Sequence, residues 1–160
     1  MAKKTADKKE AQAPKSVQNR RARHDYAIEH SFEAGIVLVG SEVKSLYKGR
    51  ANLTDAYCRV LNGELWLLNL DIEPYEQATV FQHERRRDRK LLMHRKEIGL
   101  IERRSQEKGF AIIPLAIYFK NGRAKVEIAL ARGKAEYDKR KQIAEQDTRR
   151  EIERARSLRD

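Results

Sequence analysis

The chain is poor in cysteine and in long apolar runs. Its one cysteine, Cys58, excludes a disulfide within the chain, which is typical of proteins in a reducing compartment. No apolar run approaches the roughly 18 residues that a membrane-spanning helix needs. The Lys-rich start is not followed by the apolar stretch of a secretory signal. We therefore expect a soluble, cytoplasmic protein with no membrane partner.

The sequence patterns of catalytic and metal sites are also missing. The four histidines and the single cysteine lack metal-ligand spacing. There is no glycine-rich phosphate loop and no nucleophile elbow. Three carboxylates, those of Glu33, Glu42 and Asp55, could form a metal-dependent nuclease site, although nothing in the local sequence pairs them. We expect a protein that is not an enzyme and has no catalytic or metal-binding residue, with a nuclease as the alternative.

Positive charge is abundant and lies mostly at the two ends of the chain. The sequence has 35 Lys and Arg against 24 Asp and Glu, a formal net charge of +11. Residues 1–23 contain 8 basic and 2 acidic residues, residues 24–131 contain 17 and 15, and residues 132–160 contain 10 and 7. Such a surplus favours a polyanionic partner, because basic groups bound to phosphates release counterions. Basic ends around a nearly neutral body predict a folded core with arms that bind nucleic acid.

The two ends have too little apolar surface to build a core. Residues 1–16 are mostly Lys, Ala, Gln and Pro, and we expect a disordered basic arm there. Residues 132–160 are mostly charged, and acid-first pairs four residues apart, such as Glu136 with Arg140, favour a helix. We expect this basic tail to be disordered when free and helical on a partner. The folded core is then residues 17–131.

Two Asn-Gly pairs predict tight β-hairpins, because both positions of such a turn adopt positive φ. Asn62-Gly63 and Asn121-Gly122 each separate two β-rich runs, and Pro114 lies at an edge or a bulge of the second hairpin. The runs are 53–61 and 64–70 for the first pair, and 110–120 and 123–131 for the second.

Further short elements complete the core. An extended segment at 26–39 is broken near Ala34-Gly35, which predicts a bulge or bend. Glycines predict helix ends at Gly49 and Gly109. The other predicted elements are helices at 17–23, 41–46 and 94–108, a strand at 90–93 and a long loop at 71–88. About six mostly antiparallel strands in so short a core predict a small OB-like β-barrel, because closure removes unpaired edges.

Basic segments that carry ring side chains indicate contact with RNA. Residues 19–26 combine arginines with His24 and Tyr26, and rings of this kind can stack on unpaired bases. The run at 85–90 is dense in Arg and suits phosphate contact, and Tyr137 lies within the basic tail. The alternative for each segment is an ordinary solvated surface.

Several segments together resemble the SmpB (small protein B) family, in order and at family-like spacing from about residue 19 to residue 140. They are NRRARHDY at 19–26, FEAGI at 32–36, GSEVKSL at 40–46, GRANL at 49–53, RKLL at 89–92, YFKNGRAKV at 118–126, GK at 133–134 and DKR at 138–140. The resemblance implies an OB-like antiparallel barrel that binds the transfer-RNA-like domain of tmRNA. It also implies delivery of tmRNA to ribosomes stalled on truncated messages, where tmRNA directs tagging of the nascent chain. No metal or other cofactor is implied.

The resemblance also assigns site residues. Glu33, Leu92 and Lys125 fall where the family contacts tmRNA, and His24 and Lys90 are expected to adjoin that surface. A lysine can pair with phosphate, and a leucine can pack against a base or ribose. Glu33 cannot attract phosphate, but it can accept hydrogen bonds from base amino groups or 2′-hydroxyls, or hold a neighbouring Arg.

The family's tail enters the vacant decoding centre and messenger channel of the small ribosomal subunit. The residues here that match its motif are Gly133, Lys134, Asp138, Lys139 and Arg140. Tyr137 occupies a variably aromatic position, and we expect it to stack on a base of the ribosomal RNA in the decoding centre. Nothing in the sequence demands more than a monomer. A general RNA chaperone or a ribosomal protein on the same barrel is the rival binding hypothesis.

Overall fold

A computed structural model of the chain describes residues 13–77, 82–107, 109–134 and 136–158, with only the backbone of residues 136–139. The strands are β1 (Val17–Gln18), β2 (Tyr26–Ile36), β3 (Ala51–Asn52), β4 (Tyr57–Leu61), β5 (Glu64–Leu68), β6 (Asp71–Ile72), β7 (Arg89–Leu92), β8 (Phe110–Lys120) and β9 (Arg123–Gly133). The helices are α1 (Arg20–Asp25), α2 (Gly40–Tyr47), α3 (Arg95–Ser105) and α4 (Glu136–Ser157). None of these helices, as described, is long and apolar enough to cross a membrane.

Six strands close into a barrel. Their order around the ring is β8, β4, β5, β7, β2 and β9, and β9 pairs again with β8. These pairings are antiparallel. Strand β1 adds to the side of β8, and β3 with β6 forms a separate two-stranded ribbon. The predicted class, mainly β with short helices in an OB-like antiparallel barrel, is confirmed.

Both predicted hairpins form at the Asn-Gly pairs. The φ angles are 52° at Asn62 and 74° at Gly63, and 51° at Asn121 and 73° at Gly122. Two consecutive residues with positive φ match the right-handed twist of the flanking strands. The turn at 121–122 fixes the register of β8 on β9 and therefore decides which residues face each other across the barrel wall.

The helix boundaries differ from the predicted ones mainly at the start of the core. Residues 17–18 pair with β8, so the helix predicted at 17–23 begins only at Arg20. The reason is Asn19, whose Oδ1 accepts a hydrogen bond from Ala22 N–H at 3.1 Å and caps α1. The predicted helix end at Gly49 is confirmed, because α2 ends at Tyr47 and Gly49 follows its cap with a φ of +72°. Helix α3 already ends at Ser105, where Gln106 caps it, so the end predicted just before Gly109 is wrong.

The predicted bulges are half right. Register shifts in the β8–β9 ladder between Pro114 and Ala116, which confirms the bulge expected at Pro114. In β2 the shift lies between Ile28 and His30, so the break predicted near Ala34-Gly35 is not a bulge, and the bend that was its alternative stays a prediction. Gly35 instead pairs regularly with both neighbouring strands. Its lack of a side chain affects the surface described below.

The barrel interior forms the main core. Its fully buried residues include Leu65 and Leu67 of β5, Leu91 of β7 and Ile128 of β9. Helices α2 and α3 add Leu46, Ile98 and Ile101 to the same cluster. A smaller cluster on the outer side of β8 and β9 is covered by α1 through Ala22.

Strand β9 runs to Gly133, two residues beyond the predicted end of the core at residue 131. The tail then forms α4 in the chain alone, whereas a helix was predicted for it on a partner. The described side chains from residue 140 to residue 158 are all exposed. Helices in proteins are stabilised mostly by packing of an apolar face, and α4 has no such packing among these side chains. The disorder predicted for the free tail stays a prediction, as does that of the arm, most of which lies outside the described residues.

Candidate nucleic-acid interface

Four neighbouring strands place one residue each in a row across the outer wall of the barrel. Tyr118 of β8 stands opposite Lys125 of β9, Lys125 stands opposite Gly35 of β2, and Gly35 stands opposite Leu92 of β7. Their strand neighbours Ala34, Leu91 and Val126 are buried. Because side chains alternate between the two faces of a strand, the row faces outward.

Gly35 leaves a gap in the middle of this row. A Cβ at this position would lie 3.4 Å from Leu92 Cβ and 3.8 Å from Leu92 Cδ1, an ordinary contact distance. A side chain there would therefore cover Leu92, which is 54% exposed as it stands. The gap gives a ligand access to an apolar group that lies two strands from the ammonium group of Lys125.

Glu33 lies on β2 beside this row and is held by polar neighbours. Tyr118 Oη donates a hydrogen bond to Glu33 Oε2, and Lys120 Nζ lies 3.6 Å from the same oxygen. The Tyr118 hydrogen bond and the charges of Lys120 and Lys125 hold the pKa of Glu33 below its ordinary value. The same hydrogen bond raises the pKa of Tyr118 to about 12. We call Glu33, Gly35, Leu92, Tyr118, Lys120 and Lys125 the barrel face.

Lys90 adjoins the barrel face. It lies two residues before Leu92 on β7 and therefore points to the same side of the strand. Its Nζ is 3.0 Å from Glu64 Oε1, and both side chains are partly exposed. Lys90 and Leu92 also line an open cleft of about 540 Å³ together with residues of α3. Lys90 and Leu92 are therefore neighbours on one surface, and the contact of Lys90 with RNA stays a prediction.

His24 lies elsewhere. It is in the last turn of α1, with Nδ1 at 3.1 Å from Asp25 Oδ1. Tyr26, two residues after His24, pairs with Gly133 of β9. Gly133 is eight residues along β9 from Lys125, roughly 26 Å at the rise of a strand. His24 therefore lies far from Lys125 along the strand, and its place on a surface that contacts RNA stays a prediction.

The first residues of the tail are fixed to α1. Gly133 is the last residue of β9, and Lys134 N–H donates to Asp25 O at 2.9 Å. Lys134 Nζ contacts Arg23 O at 3.4 Å and donates to Gln142 Oε1 of α4. Arg140 is exposed on α4. The side chains of the other predicted tail residues, Tyr137, Asp138 and Lys139, lie outside the described part of the chain.

The basic run at 85–90 binds the protein's own carboxylates and carbonyls. Arg89 is fully buried and donates to Glu42 Oε2, and its Nη1 donates to Leu70 O at 2.7 Å. Arg87 donates to the other oxygen of Glu42, and Arg85 pairs with Asp71 at 2.9 Å. Phosphate contact was expected of this run, and for the buried Arg89 that prediction is wrong.

The three carboxylates of the nuclease alternative do not meet. Glu42 is buried between Arg87 and Arg89, whereas Glu33 is on the barrel face. Asp55 is exposed in the turn before β4. Among the described residues no group of three or more His, Cys, Asp or Glu side chains could hold a metal ion. The structure therefore gives the nuclease alternative no assembled site.

Tyr118 and Lys120 were not singled out from the sequence, although a signal for them existed. A two-residue turn at Asn121-Gly122 pairs residue 120 with 123 and residue 118 with 125. Counting back from the turn therefore places the tyrosine directly beside Lys125. The part played by Gly35 depends on the pairing of β2 with β7, which lie far apart in sequence, and no local pattern reveals it.

A model of the family described as SmpB protein matches residues 16–158 of the chain. The SsrA-binding protein of Thermobifida fusca is 56% identical over 154 residues, which cover 96% of this chain and 95% of that protein. The SsrA-binding protein of Desulforudis audaxviator is 58% identical over 138 residues, covering 86% of this chain and 90% of that protein.

A solved structure is similar in fold as well as in sequence. It is described as "tmRNA-SmpB: a journey to the center of the bacterial ribosome" and superimposes with a TM-score of 0.66. The two chains are 47% identical, and the match covers 78% of this chain and 87% of that one. Sequence and fold thus lead to the same group of proteins.

Proposed function

The chain belongs to the SmpB family, and from that premise we propose that it binds the transfer-RNA-like domain of tmRNA and delivers it to stalled ribosomes for trans-translation. The observation that carries the proposal is the row Tyr118–Lys125–Gly35–Leu92, because it puts a ring, a cation and an apolar group on one open wall. RNA that exposes unpaired bases beside its phosphates matches all three groups.

We assign the RNA contacts on the barrel according to chemistry. Lys125 and Lys90 pair with phosphates, and Leu92 packs on a base or ribose through the gap above Gly35. Glu33 belongs to the same surface by its position on β2. His24 lies apart from these residues, so it contacts a different part of the RNA or the ribosome near the base of the tail.

The tail has a second task in this proposal. It enters the vacant decoding centre and messenger channel, where ribosomal RNA surrounds it. The tail residues we assign to this contact are Gly133, Lys134, Tyr137, Asp138, Lys139 and Arg140. The exposure of the described side chains from 140 to 158 supports the assignment, because a helix whose side chains are exposed can contact a partner along its length.

The protein acts by binding in this scheme, in the cytoplasm, as a monomer and without a catalytic step. The barrel recognises tmRNA through phosphate contacts and stacking, and the tail recognises an empty channel. Affinity for such polyanionic partners is expected to fall steeply as salt rises, because counterions are released on binding.

A competition experiment tests the proposal. Labelled transfer-RNA-like domain of tmRNA is titrated with the full chain at physiological salt, with and without an excess of unrelated transfer RNA. Binding that survives the competitor supports a dedicated tmRNA-binding protein. Displacement by any structured RNA would overturn it in favour of a general RNA chaperone.

A further inference from the structure

We propose that Tyr118 forms the base-stacking platform of the barrel face and that Glu33 acts by positioning Tyr118 rather than by touching RNA. This inference rests on the proposed function and deepens it, because it assigns a nucleotide-binding subsite to a ring that the family resemblance did not single out. The ligand of the subsite is an unpaired base whose phosphate reaches Lys125.

The ring of Tyr118 lies where a base could stack on it. Tyr118 is partly exposed and stands directly opposite Lys125. Directly opposed residues have Cβ atoms about 4.5–5.5 Å apart, close enough for one nucleotide to use both. A base stacked on the ring would have its phosphate within reach of the ammonium group, which is the arrangement that single-stranded RNA-binding surfaces use.

The ring of Tyr118 is held in place before any ligand binds. Tyr118 Oη donates to Glu33 Oε2, which joins β8 to β2 across the intervening strand β9. A side chain ordered in advance loses less conformational entropy on binding. The anchored phenol therefore offers a fixed surface for stacking.

Glu33 is an acidic residue on a surface that we expect to bind a polyanion, and its contacts explain why it is there. A carboxylate repels phosphate, so Glu33 as a direct contact would weaken binding unless it met a donor. Here the contacts with Tyr118 Oη and Lys120 Nζ are both at Glu33 Oε2. Glu33 thus contacts one ring and one ammonium group, and both Lys120 and Lys125 are near enough to offset part of its charge.

A double-mutant cycle separates positioning from contact. The affinity for the transfer-RNA-like domain is measured for Tyr118→Ala, Glu33→Ala and the double variant. Loss of one stacked base should weaken binding about 5- to 150-fold in Tyr118→Ala. We expect Glu33→Ala to weaken binding less in the wild type and not at all when Tyr118 is already alanine. Losses that simply add would show that Glu33 contacts RNA by itself and would overturn the inference.

Three further measurements sharpen the test. Tyr118→Phe keeps the ring and loses the anchor, so it should weaken binding less than Tyr118→Ala does. The salt dependence of binding should be unchanged in Tyr118→Ala, because stacking releases no counterion. Tyr57→Ala removes a ring that is 48% exposed on β4, away from the barrel face, and should bind as the wild type does. Unaltered affinity in Tyr118→Ala would also overturn the inference.

Different results would contradict the roles of Tyr118 and Glu33 and the proposed binding of tmRNA. A wild-type protein that prefers no RNA would overturn the proposed function. The cycle measured on whichever RNA binds would still report whether Tyr118 stacks and whether Glu33 acts through it. Selective wild-type binding with an additive cycle would leave the function standing and remove the inference alone.

Discussion

Glu42 and Arg89 form an ion pair in which both side chains are fully buried. Burial opposes the charge on Glu42, but hydrogen bonds from Arg87, Val39 N–H and Arg89 outweigh it and hold the pKa of Glu42 below its ordinary value. Arg89 also donates to backbone carbonyls of residues 70, 85 and 87. One charged pair thus ties α2 to the start of β7 and to the long loop that precedes it.

Breaking this pair should destabilise the fold strongly. Glu42→Gln keeps the size of the side chain but leaves the Arg89 guanidinium buried without its countercharge. We expect a loss of about 3–5 kcal/mol in the free energy of unfolding, measured by urea denaturation. Glu76→Gln removes an exposed carboxylate paired with Arg50 and is the matched control, with no measurable change expected. Equal stability of the two variants would contradict the structural role of Glu42.

Lys125→Ala should weaken RNA binding and change its salt dependence. One phosphate contact fewer should lower the slope of log affinity against log salt by about one, so the loss in affinity shrinks as salt rises. Binding of the transfer-RNA-like domain over a series of salt concentrations measures both effects. Lys96→Ala removes the same charge from an exposed position on α3 and should leave the slope unchanged. Unchanged affinity of Lys125→Ala at low salt would count against the contact.

Removing the tail should separate the two tasks of the protein. The cut belongs after Lys134, because an earlier end at residue 131 would also delete two residues of β9 that pair with β2. We expect the shortened chain to keep most of its affinity for tmRNA and to lose tagging on ribosomes stalled on truncated messages. If affinity and tagging disappear together, the division between barrel and tail is wrong.

The helix α4 should be weakly protected in the free protein. Its described side chains have no apolar packing to stabilise them, so we expect amide hydrogens of residues 140–157 to exchange at nearly unfolded rates. Amides in the β8–β9 ladder provide the internal comparison and should be well protected. Slow exchange along α4 would mean that the helix exists before the ribosome is met.

The Tyr118–Glu33 hydrogen bond should be visible in an alkaline titration. The pKa of Tyr118 is raised to about 12, above the ordinary phenol value of about 10. Its contribution to stability is therefore present below about pH 10 and is lost as the pH rises towards 12. The absorbance difference between wild type and Tyr118→Phe isolates this phenol. In the Glu33→Ala background the pKa should fall towards 10, and a value that stays near 12 would show that Glu33 is not its cause.

The sequence predicted what depends on local chemistry and missed what depends on distant pairing. The two Asn-Gly turns and the helix end at Gly49 were placed correctly because their φ angles are a local matter. The burial of Arg89 could not be foreseen, since its partner Glu42 is 47 residues away in sequence. The distance of His24 from Lys125 was missed for the same reason, because it follows from the register of β2 on β9.

Closure of the barrel by β2 and β9 also sets an order of events while the chain is being synthesised. Strand β2 emerges early, whereas its partner is the last of the described strands to be made. Until Gly133 exists, part of one flank of β2 has no neighbour, and contacts between residues so far apart form slowly. Unpaired edges invite pairing with other chains. A polypeptide released before β9 is synthesised is therefore an open sheet exposed to aggregation and proteolysis, and not a shorter barrel.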